Sequence, residues 1–387
     1  MADTHIGMGL VGAGFVGPLH VDAVRRLGFV DVVAVAGSSE DAARAAARRL
    51  GLQRSYAHYE ALLDDPRVHV VHVATPNHLH YPVTAAAIAR GKHVVSEKPL
   101  ALNAGEAQRL LDLAREAGIV HAVMFNYRGN PLVQEARARI LRGEIGRLHF
   151  LHGRYLQDWL LEDSDFSWRL EPDKGGASSA LGDIGSHWCD LAEHVSGLRI
   201  VEVLGETTTA VKRRRKPRAS REAFAAAAGD EPFDWVDIKL DDLASVLLRF
   251  DTGATGTLSI GQVCAGHKND LELELSGASG SIAWRQEHAN ELWIGRRHGP
   301  NEVLQKDPSL MDARTRGYAR LPGGHQEGWA DAFFNVTRDI YYFIAAGKQP
   351  GSAEPPLFAT FQDGVRAARV VDAVLASAKA GGVWTRV

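Results

Sequence analysis

Residues 6–17 have the sequence IGMGLVGAGFVG, and this stretch decides the fold. A short apolar run that predicts a strand leads directly into a Gly-x-Gly-x-x-Gly motif, and a helical pattern follows it. In such a loop the first glycine permits a tight turn, the second lets the backbone approach a pyrophosphate, and the third lets the helix pack close to the strand. The start of the helix then offers N–H groups to phosphate. We expect the cofactor phosphates at Gly12, Gly14, Phe15, Val16 and Gly17.

Strands and helices alternate through the first third of the chain, and this rhythm predicts βαβ units in a doubly wound parallel sheet. The later strand candidates follow one another with tight turns between several of them, which favours an antiparallel sheet. The fold class is therefore α/β, with a Rossmann domain at 1–126 and an α+β domain at 127–387. A helix is predicted at about 365–380, and we leave open that it packs back on the first domain.

The composition is that of a globular protein in water. Hydrophobic residues make up 45% and charged residues 24% of the 387 residues, and the net charge is −3. Two cysteines are too few for a disulfide framework or a thiolate metal cage, so no metal is expected. No apolar run reaches the length of a membrane span, and the first residues lack a secretion signal. We expect a cytoplasmic protein without a membrane partner.

One basic run, KRRRKPR within 212–221, interrupts this balance. Such a run is found in nucleic-acid patches and also in solvated loops. Because the whole chain is slightly acidic, we predict a solvated insertion loop between two strands and no nucleic-acid partner.

The end of the second predicted strand bears on the choice between NAD and NADP. The acidic residue that commonly binds the ribose hydroxyls is absent, and Ser38 and Ser39 stand there instead. Glu40 and Asp41 follow, whereas a 2′-phosphate would favour a cation. NAD is therefore the expected cofactor, and the serines leave NADP open.

Further motifs resemble one known family. They are ATPNHLH at 74–80, EKP at 97–99, the glycine pair at 175–176, and LGDIGSHWCD at 181–190. Together they resemble the Gfo/Idh/MocA family, and YLQDW at 155–159 resembles its levoglucosan dehydrogenase branch. The resemblance implies a Rossmann domain followed by an open, mainly antiparallel sheet whose free face forms a homodimer or homotetramer. It also implies that Thr75, Asn77, His80, Glu97 and Lys98 bind the cofactor.

The catalytic residues can also be argued from chemistry. Asp183 and His187 are four residues apart and share one face of a helix. A histidine can take a proton from a hydroxyl near neutral pH. Lys98 follows a strand at the carboxyl edge of the predicted sheet, where a cation can stabilise charge on a reacting oxygen. By resemblance these three residues form the family's Lys/Asp/His triad.

Aromatic and polar residues near the predicted sheet edges suit a carbohydrate substrate. Along a strand, Tyr155, Gln157 and Trp159 point the same way, and aromatic rings with amides suit the faces and hydroxyls of a sugar. The full set of expected substrate contacts is Tyr127, Arg128, Tyr155, Gln157, Trp159, Trp168, Arg169 and His325.

The leading function is an NAD-dependent dehydrogenase of a sugar, glycoside or cyclitol. The resemblance leaves a second function open, because some family members are glycosidases that oxidise, eliminate, hydrate and reduce back with recycled NAD. A third, a non-catalytic dinucleotide-binding regulator, is disfavoured because Lys98 and His187 are both present.

Overall fold

The glycine-loop strand lies near the middle of a parallel sheet. The computed structural model describes residues 5–218, 232–351 and 355–387. Six strands pair in the order β3-β2-β1-β4-β5-β6, and each neighbouring pair is parallel. This is the Rossmann order, so the predicted doubly wound sheet is confirmed. The strands are β1 (Ile6–Val11), β2 (Val30–Ala36), β3 (Ser55–Tyr56), β4 (Val70–Val73), β5 (His93–Ser96) and β6 (His121–Val123).

Helices of the first sheet begin and end where local chemistry favours it. The Asn103 side chain accepts a hydrogen bond from Glu106 N at 2.9 Å and so caps the fifth helix. The second helix ends at Leu50, and Gly51 caps it with a φ of +63°, the left-handed conformation that is common at helix C-termini. These helices are α1 (Gly17–Arg25), α2 (Glu40–Leu50), α3 (Tyr59–Leu63), α4 (His80–Ala89) and α5 (Ala104–Glu116).

The later strands build one large sheet. Its nine strands run in the order β16-β15-β14-β13-β7-β12-β11-β8-β17. The β7–β12 pair is parallel and the other pairs are antiparallel, so the sheet is mixed and mostly antiparallel, as predicted. Its strands, with the separate pair β9 and β10, are β7 (Leu148–Leu156), β8 (Ile200–Thr208), β9 (Arg213–Pro217), β10 (Phe233–Asp237), β11 (Leu243–Phe250), β12 (Thr255–Gly261), β13 (Asp270–Gly277), β14 (Gly280–Arg285), β15 (Glu291–Arg296), β16 (Glu302–Gln305) and β17 (Thr385–Arg386).

The remaining helices complete the chain. In the described ranges, no helix has the length and apolar character needed to cross a membrane. The helices are α6 (Pro131–Leu141), α7 (Pro172–Gly175), α8 (Ser186–Ser196), α9 (Trp329–Ala345) and α10 (Phe361–Lys379), with a π-helical turn at Leu181–Gly185. Short 3₁₀ turns lie at Asn77–Leu79, Asn126–Gly129, Trp168–Leu170, Gln286–His288 and Arg316–Tyr318.

The chain divides into two compact units. Each unit has a hydrophobic core of its own, one beneath the parallel sheet and one beneath the mixed sheet. The first unit contains Met1–Asn126, Asp173–Gly175 and Phe333–Ala368, and the second contains Tyr127–Pro172, Gly176–Ala332 and Arg369–Val387.

A tryptophan fixes α8 against the mixed sheet. Trp188 is fully buried, and its Nε1 donates to the carbonyl oxygen of Glu272 on β13 at 2.8 Å. Gly153 of β7 makes room for the indole, because a Cβ there would lie 2.5 Å from that Nε1. The glycine inside this strand therefore serves the packing of the helix that carries His187.

The basic run forms a strand, so the predicted solvated loop is wrong for residues 213–217. Arg213–Pro217 pairs antiparallel with Phe233–Asp237. Arg214 is fully buried and pairs with Asp242 at 3.0 Å, while Lys216 pairs with Glu171 at 2.6 Å. The run of basic residues suggested a solvated loop because the carboxylates that neutralise it, on Asp242 and Glu171, lie far away along the chain. The rest of the predicted loop, 219–221, lies outside the described residues.

Two buried histidines predict how stability depends on pH. Burial lowers the pKa of His121 to about 4 and that of His72 well below its usual value. In an unfolded chain, both histidines have a pKa of about 6.5. Below that pH these histidines bind protons in the unfolded chain but not in the folded chain, so the free energy of unfolding falls as the pH decreases.

Each histidine should lower the free energy of unfolding by about 1.4 kcal/mol per pH unit between its unfolded and folded pKa values. Urea unfolding at about pH 7.5 and about pH 5.5 measures this loss. A His121→Gln variant should lose less stability than wild type on acidification, and substitution of the exposed His288 should change nothing. Equal pH dependence in wild type and the His121→Gln variant would contradict this explanation.

Candidate functional site

The glycine loop of the first unit is shaped for a phosphate. Gly12 has a φ of +90°, and a Cβ there would lie 2.6 Å from the Ala74 carbonyl oxygen. By contrast, no atom of the described residues lies within 4 Å of the place a Cβ would take on Gly14. The following helix α1 starts at Gly17 without a side-chain cap on Val16. The loop thus combines a strained turn, an open backbone and an uncapped helix start, which together fit a pyrophosphate.

Close to this loop lies a cation that the sequence reasoning missed. Arg49, at the end of α2, donates a hydrogen bond from its guanidinium to the carbonyl oxygen of Ala13. Arg44 instead pairs with Glu40 of its own helix at 2.8 Å. Sequence reasoning considered only residues directly after β2, and nothing in the spacing indicates that Arg49 returns to the glycine loop.

Ser38 and Ser39 follow β2, as predicted, and both are exposed. The Ser39 hydroxyl accepts a hydrogen bond from Ala42 N at 3.2 Å and caps α2. Ser39 therefore has a structural role at the start of this helix, and Ser38 is the serine whose hydroxyl is offered to solvent.

Two buried polar atoms mark the carboxyl edge of the parallel sheet. Thr75 Oγ1 follows β4 and Asn126 Nδ2 follows β6, and neither has a hydrogen-bond partner in the described part of the chain. Buried polar groups without partners are costly, so such atoms fit a ligand that supplies the missing bonds. Both residues belong to the first unit. A dinucleotide with a polar carboxamide at one end fits this arrangement.

The turns after β4 and β5 are joined by one histidine. His80 is buried, and its ring nitrogens lie 2.6 Å from the Pro99 carbonyl oxygen and 2.9 Å from that of Thr75. Burial lowers the pKa of His80, while both carbonyl contacts and Glu97 act in the opposite direction. His80 therefore holds the two predicted cofactor turns together.

The other predicted cofactor residues of the first unit lie at the same two turns. Asn77 Nδ2 donates to the carbonyl oxygen of Gly175 at 3.1 Å. Glu97 is buried directly after β5, and Lys98 beside it is partly exposed. Glu97 Oε2 accepts a hydrogen bond from Lys98 N at 3.3 Å, which fixes the main chain at the lysine.

In the second unit, Asp183 lies on the π-helical turn Leu181–Gly185 that precedes α8. Its Oδ2 accepts a hydrogen bond from Gln262 Nε2 at 2.9 Å, and its Oδ1 lies 3.2 Å from Arg169 Nε. One carboxylate oxygen thus accepts a hydrogen bond and the other lies beside a guanidinium charge, and together these contacts fix the direction of the carboxylate. Gln262, at the end of β12, was not predicted.

A buried aspartate holds this turn in place. Asp241 Oδ1 accepts from Ser179 N at 3.0 Å, and Oδ2 accepts from Leu181 N at 2.7 Å. Burial raises the pKa of Asp241, and these hydrogen bonds act against the rise. Asp241 therefore supports Asp183 without being a predicted site residue.

His187 lies in the first turn of α8 and is buried. Its ring meets Tyr127 edge to face, with centroids 5.0 Å apart. The histidine and Asp183 therefore lie on one continuous segment, but the aspartate belongs to a π-helical turn and not to the regular helix on which the four-residue spacing predicted a shared face.

Tyr127, Tyr155 and Asn269 form a closed triangle of hydrogen bonds beside His187. The two hydroxyl oxygens lie 2.6 Å apart, Tyr155 donates to Asn269 Oδ1 at 2.7 Å, and Asn269 Nδ2 donates to Tyr127 at 3.0 Å. Gln157 Nε2 also donates to Asn269 Oδ1, at 2.9 Å. Burial raises the pKa of both tyrosines, so they remain protonated near neutral pH.

Trp159 and Trp168 flank the Arg169 guanidinium. Trp159 Nε1 donates to Gln157 Oε1 at 2.8 Å, which links it to the tyrosine triangle. The Arg169 guanidinium lies 4.5 Å from the Trp168 ring centroid and 6.0 Å from that of Trp159. Its buried Nη1 has no hydrogen-bond partner among the described residues. This nitrogen can therefore donate a hydrogen bond to a substrate oxygen.

Two predicted substrate residues have other surroundings. The Arg128 guanidinium is buried and binds Asp190 on α8 at 2.8 and 2.5 Å, so it positions that helix. His325 is exposed, and its ring contacts the Gly323 carbonyl oxygen at 3.2 Å. No contact in the described part of the chain joins His325 to Asp183 or to the tyrosine triangle.

The comparisons with known proteins agree with both units. The family model described as "Oxidoreductase family, NAD-binding Rossmann fold" matches residues 6–125, and the GFO/IDH/MocA C-terminal domain model matches residues 133–283. The chain is 31% identical to levoglucosan dehydrogenase of Pseudarthrobacter phenanthrenivorans over 97% of its own length and 96% of the relative.

Solved structures give the same result. Levoglucosan dehydrogenase in complex with NADH and levoglucosan superposes with a TM-score of 0.88 at 29% identity, covering 99% of this chain and 100% of that one. An inositol dehydrogenase homologue from Azotobacter vinelandii in complex with NAD⁺ has a TM-score of 0.84 at 27% identity, covering 99% and 97%.

The fold and the residues at its sheet edges thus define an oxidoreductase with an NAD-binding Rossmann domain. More particularly, the chain belongs to the GFO/IDH/MocA family of oxidoreductases. The resemblance identified from the EKP and LGDIGSHWCD motifs is confirmed.

The support of the Asp183 turn can be tested through Asp241. In an Asp241→Asn variant, one of the two main-chain N–H groups faces an amide donor and loses its acceptor. We expect the free energy of unfolding to fall by about 1–3 kcal/mol, as for a buried unsatisfied donor. Urea denaturation measures this, with the exposed Asp234→Asn variant as a control whose unfolding midpoint should stay close to that of wild type. An Asp241→Asn protein as stable as wild type would contradict this role.

Proposed function

We propose that this protein oxidises a hydroxyl-bearing carbon of a sugar, glycoside or cyclitol with NAD. The observation that carries the proposal is the group of Asp183, His187 and the tyrosine–asparagine triangle in one unit of a chain whose other unit is an NAD-binding Rossmann domain. An acid–base histidine beside a dense set of hydrogen-bonding groups suits the hydroxyls of a carbohydrate.

Each catalytic side chain has one role in this reaction. When bound, NAD supplies the carbon that accepts the hydride. An imidazole nitrogen of His187 takes the proton of the substrate hydroxyl as the carbonyl forms. Lys98 Nζ holds the same oxygen and stabilises its developing negative charge. Asp183, ionised and fixed by Gln262, stabilises the positive charge that His187 gains.

The cofactor has its contacts in the first unit. The open backbone at Gly14 and the uncapped start of α1 would hold the phosphates, while Thr75 Oγ1 and Asn126 Nδ2 would bond to the carboxamide. Glu40 and Asp41, exposed at the start of α2, would repel a 2′-phosphate, so we propose NAD as the preferred cofactor over NADP.

The charge balance around Arg169 favours an uncharged substrate. Arg169 lies against the Asp183 carboxylate, so the two charges offset one another. Trp159 and Trp168 add flat apolar surfaces, which suit the CH faces of a pyranose or cyclitol. Two relatives, levoglucosan dehydrogenase and a myo-inositol 2-dehydrogenase, are named for substrates of this kind. Anhydrosugars and glycosides are the first compounds to test.

A panel of free sugars, anhydrosugars, cyclitols and nitrophenyl glycosides tests the function, offered with NAD or NADP. NADH absorbance and nitrophenol release are followed together. We expect NADH to accumulate in proportion to the sugar consumed. Nitrophenol released with catalytic NAD and no net NADH would instead establish the redox-neutral glycosidase. The raised pKa values of Tyr127 and Tyr155 do not favour the extra base that this alternative needs.

Substitution of the proposed catalytic residues tests the assignment. Lys98→Ala and His187→Ala should each reduce kcat by at least about 100-fold while NAD still binds, because the general base or the oxygen-binding cation is lost. NAD titration by fluorescence and steady-state kinetics measure the two effects. The exposed His288→Ala is the matched control for the histidine. Undiminished turnover in both variants would exclude the proposed catalytic roles.

We further propose that the outer face of the mixed sheet joins copies of the chain into a homodimer or homotetramer. Phe150 and Leu247 are 36% and 45% exposed on strands β7 and β11, and Thr257 lies on β12 between those strands. A Leu247→Glu variant should place a charge in the interface and yield smaller particles in light scattering after size exclusion. A monomeric wild-type protein would contradict the proposal.

A further inference from the structure

Four buried side chains of the first unit form a continuous hydrogen-bond chain that ends one residue before Lys98. Glu97 Oε1 lies 3.1 Å from His20 Nε2, and His20 Nδ1 lies 2.8 Å from His72 Nδ1. His72 Nε2 lies 2.9 Å from the Tyr341 hydroxyl. His20, His72 and Tyr341 are fully buried, and Glu97 is 7% exposed. We call these four residues the Glu97 chain.

The proton positions of the Glu97 chain follow from its carboxylate end. An ionised carboxylate only accepts hydrogen bonds, so His20 Nε2 must donate to Glu97. If His20 is neutral, its Nδ1 then accepts from His72 Nδ1. The Nε2 of His72 has no proton in turn and accepts from Tyr341. In every hydrogen bond of the Glu97 chain, the donor is therefore the residue nearer to Tyr341 and the acceptor is the residue nearer to Glu97.

The opposite direction leaves a buried hydrogen without a partner. If His20 carried a second proton, it would donate to His72, and His72 would donate to the Tyr341 oxygen. In the part of the chain that the structure describes, the Tyr341 hydroxyl contacts no other acceptor. An unsatisfied buried donor is costly, so the direction towards Glu97 is favoured. Burial also lowers the pKa of His72 well below its usual value, which keeps that ring neutral.

The Glu97 chain connects four elements to the lysine turn. His20 lies on the glycine-loop helix α1, His72 on β4, Tyr341 on α9, and Glu97 directly after β5. The second carboxylate oxygen of Glu97 accepts from Lys98 N at 3.3 Å. A buried carboxylate needs such partners to remain ionised and in one orientation. The hydrogen bonds on one oxygen thus determine where the other oxygen holds the lysine main chain.

We propose that Tyr341, His72 and His20 are positioning residues that orient the Glu97 carboxylate, so that Glu97 sets the main chain at Lys98. The inference rests on the proposed function, because Lys98 matters there as the cation that holds the reacting oxygen. Rates of this kind depend steeply on the placement of such a group, and an error of about 1 Å costs about 100-fold.

The proton positions can be measured without any turnover. Long-range ¹⁵N spectra of histidine-labelled protein distinguish the two ring tautomers, and His20→Gln and His72→Gln variants assign the signals. We expect His20 to carry its hydrogen on Nε2 and His72 on Nδ1. A doubly protonated His20, or the opposite tautomer on His72, would overturn the proposed direction.

The effect on catalysis is tested at the Tyr341 end of the Glu97 chain, where Tyr341→Phe removes the terminal hydrogen-bond donor and keeps the aromatic ring. We expect kcat to fall about threefold to tenfold, as for the loss of one hydrogen bond, with the dissociation constant for NAD unchanged. Tyr342→Phe is the matched control, since Tyr342 is the next residue, 57% exposed and stacked on Phe29. Equal kcat in wild type and the Tyr341→Phe variant would contradict the positioning role.

A second pair of variants separates positioning from packing. In a His20→Gln variant the amide can donate to Glu97 and accept from His72, whereas His20→Leu offers neither group. We expect kcat to fall at least about tenfold with leucine and to be largely restored with glutamine. Equal losses in both would show that only packing matters and would overturn the proposal. If the histidines show the expected tautomers but the protein oxidises no sugar, the Glu97 chain is confirmed, whereas the proposed function and the positioning role are overturned.

Discussion

Carboxylates removed from water hold the functional segments of this protein in place. A buried carboxylate is stable only when donors surround it, and those donors then lose their freedom to move. Glu97 is fixed by His20 and by the Lys98 main chain, and Asp183 is fixed by Gln262. Asp241 accepts hydrogen bonds from two main-chain N–H groups at the turn that carries Asp183. Asp190 accepts from the Arg128 guanidinium. Removal of one partner therefore weakens the contacts that fix that carboxylate and the segment beside it.

The same principle explains how side chains are prepared for chemistry before a substrate arrives. In the second unit, Tyr127, Tyr155 and Asn269 exhaust much of their hydrogen-bonding capacity on one another and so present fixed orientations. In the first unit, Thr75 and Asn126 keep buried polar atoms that bond to none of the described residues, and a dinucleotide can supply those hydrogen bonds. Groups that need no rearrangement stabilise a transition state most effectively. The structure therefore contains both side chains already fixed by hydrogen bonds and buried polar atoms that can bond to a ligand.

The sequence predicted what depends on short stretches of chain. The glycine loop, the capped helix after Asn103 and the strand from His93 to Ser96 are local patterns, and the family motifs lie within a few residues each. The contributions of Arg49, Asn269 and Asp241 could not be predicted, because each reaches a residue distant along the chain. For the same reason the basic strand at Arg213–Pro217 was mistaken for a loop: its compensating carboxylates give no signal in its own sequence. Contact of the predicted site residues with substrate stays a prediction.

In the proposed reaction the protein transfers a hydride from a sugar carbon to NAD. The most direct measurement uses a sugar or anhydrosugar that the protein consumes, deuterated at each hydroxyl-bearing carbon, with excess NAD. Mass spectrometry of the nicotinamide then reports where the deuterium goes. We expect one deuterium per molecule of NADH and an equal amount of carbonyl product. Product formed while the sugar keeps its deuterium and no labelled NADH accumulates would contradict it.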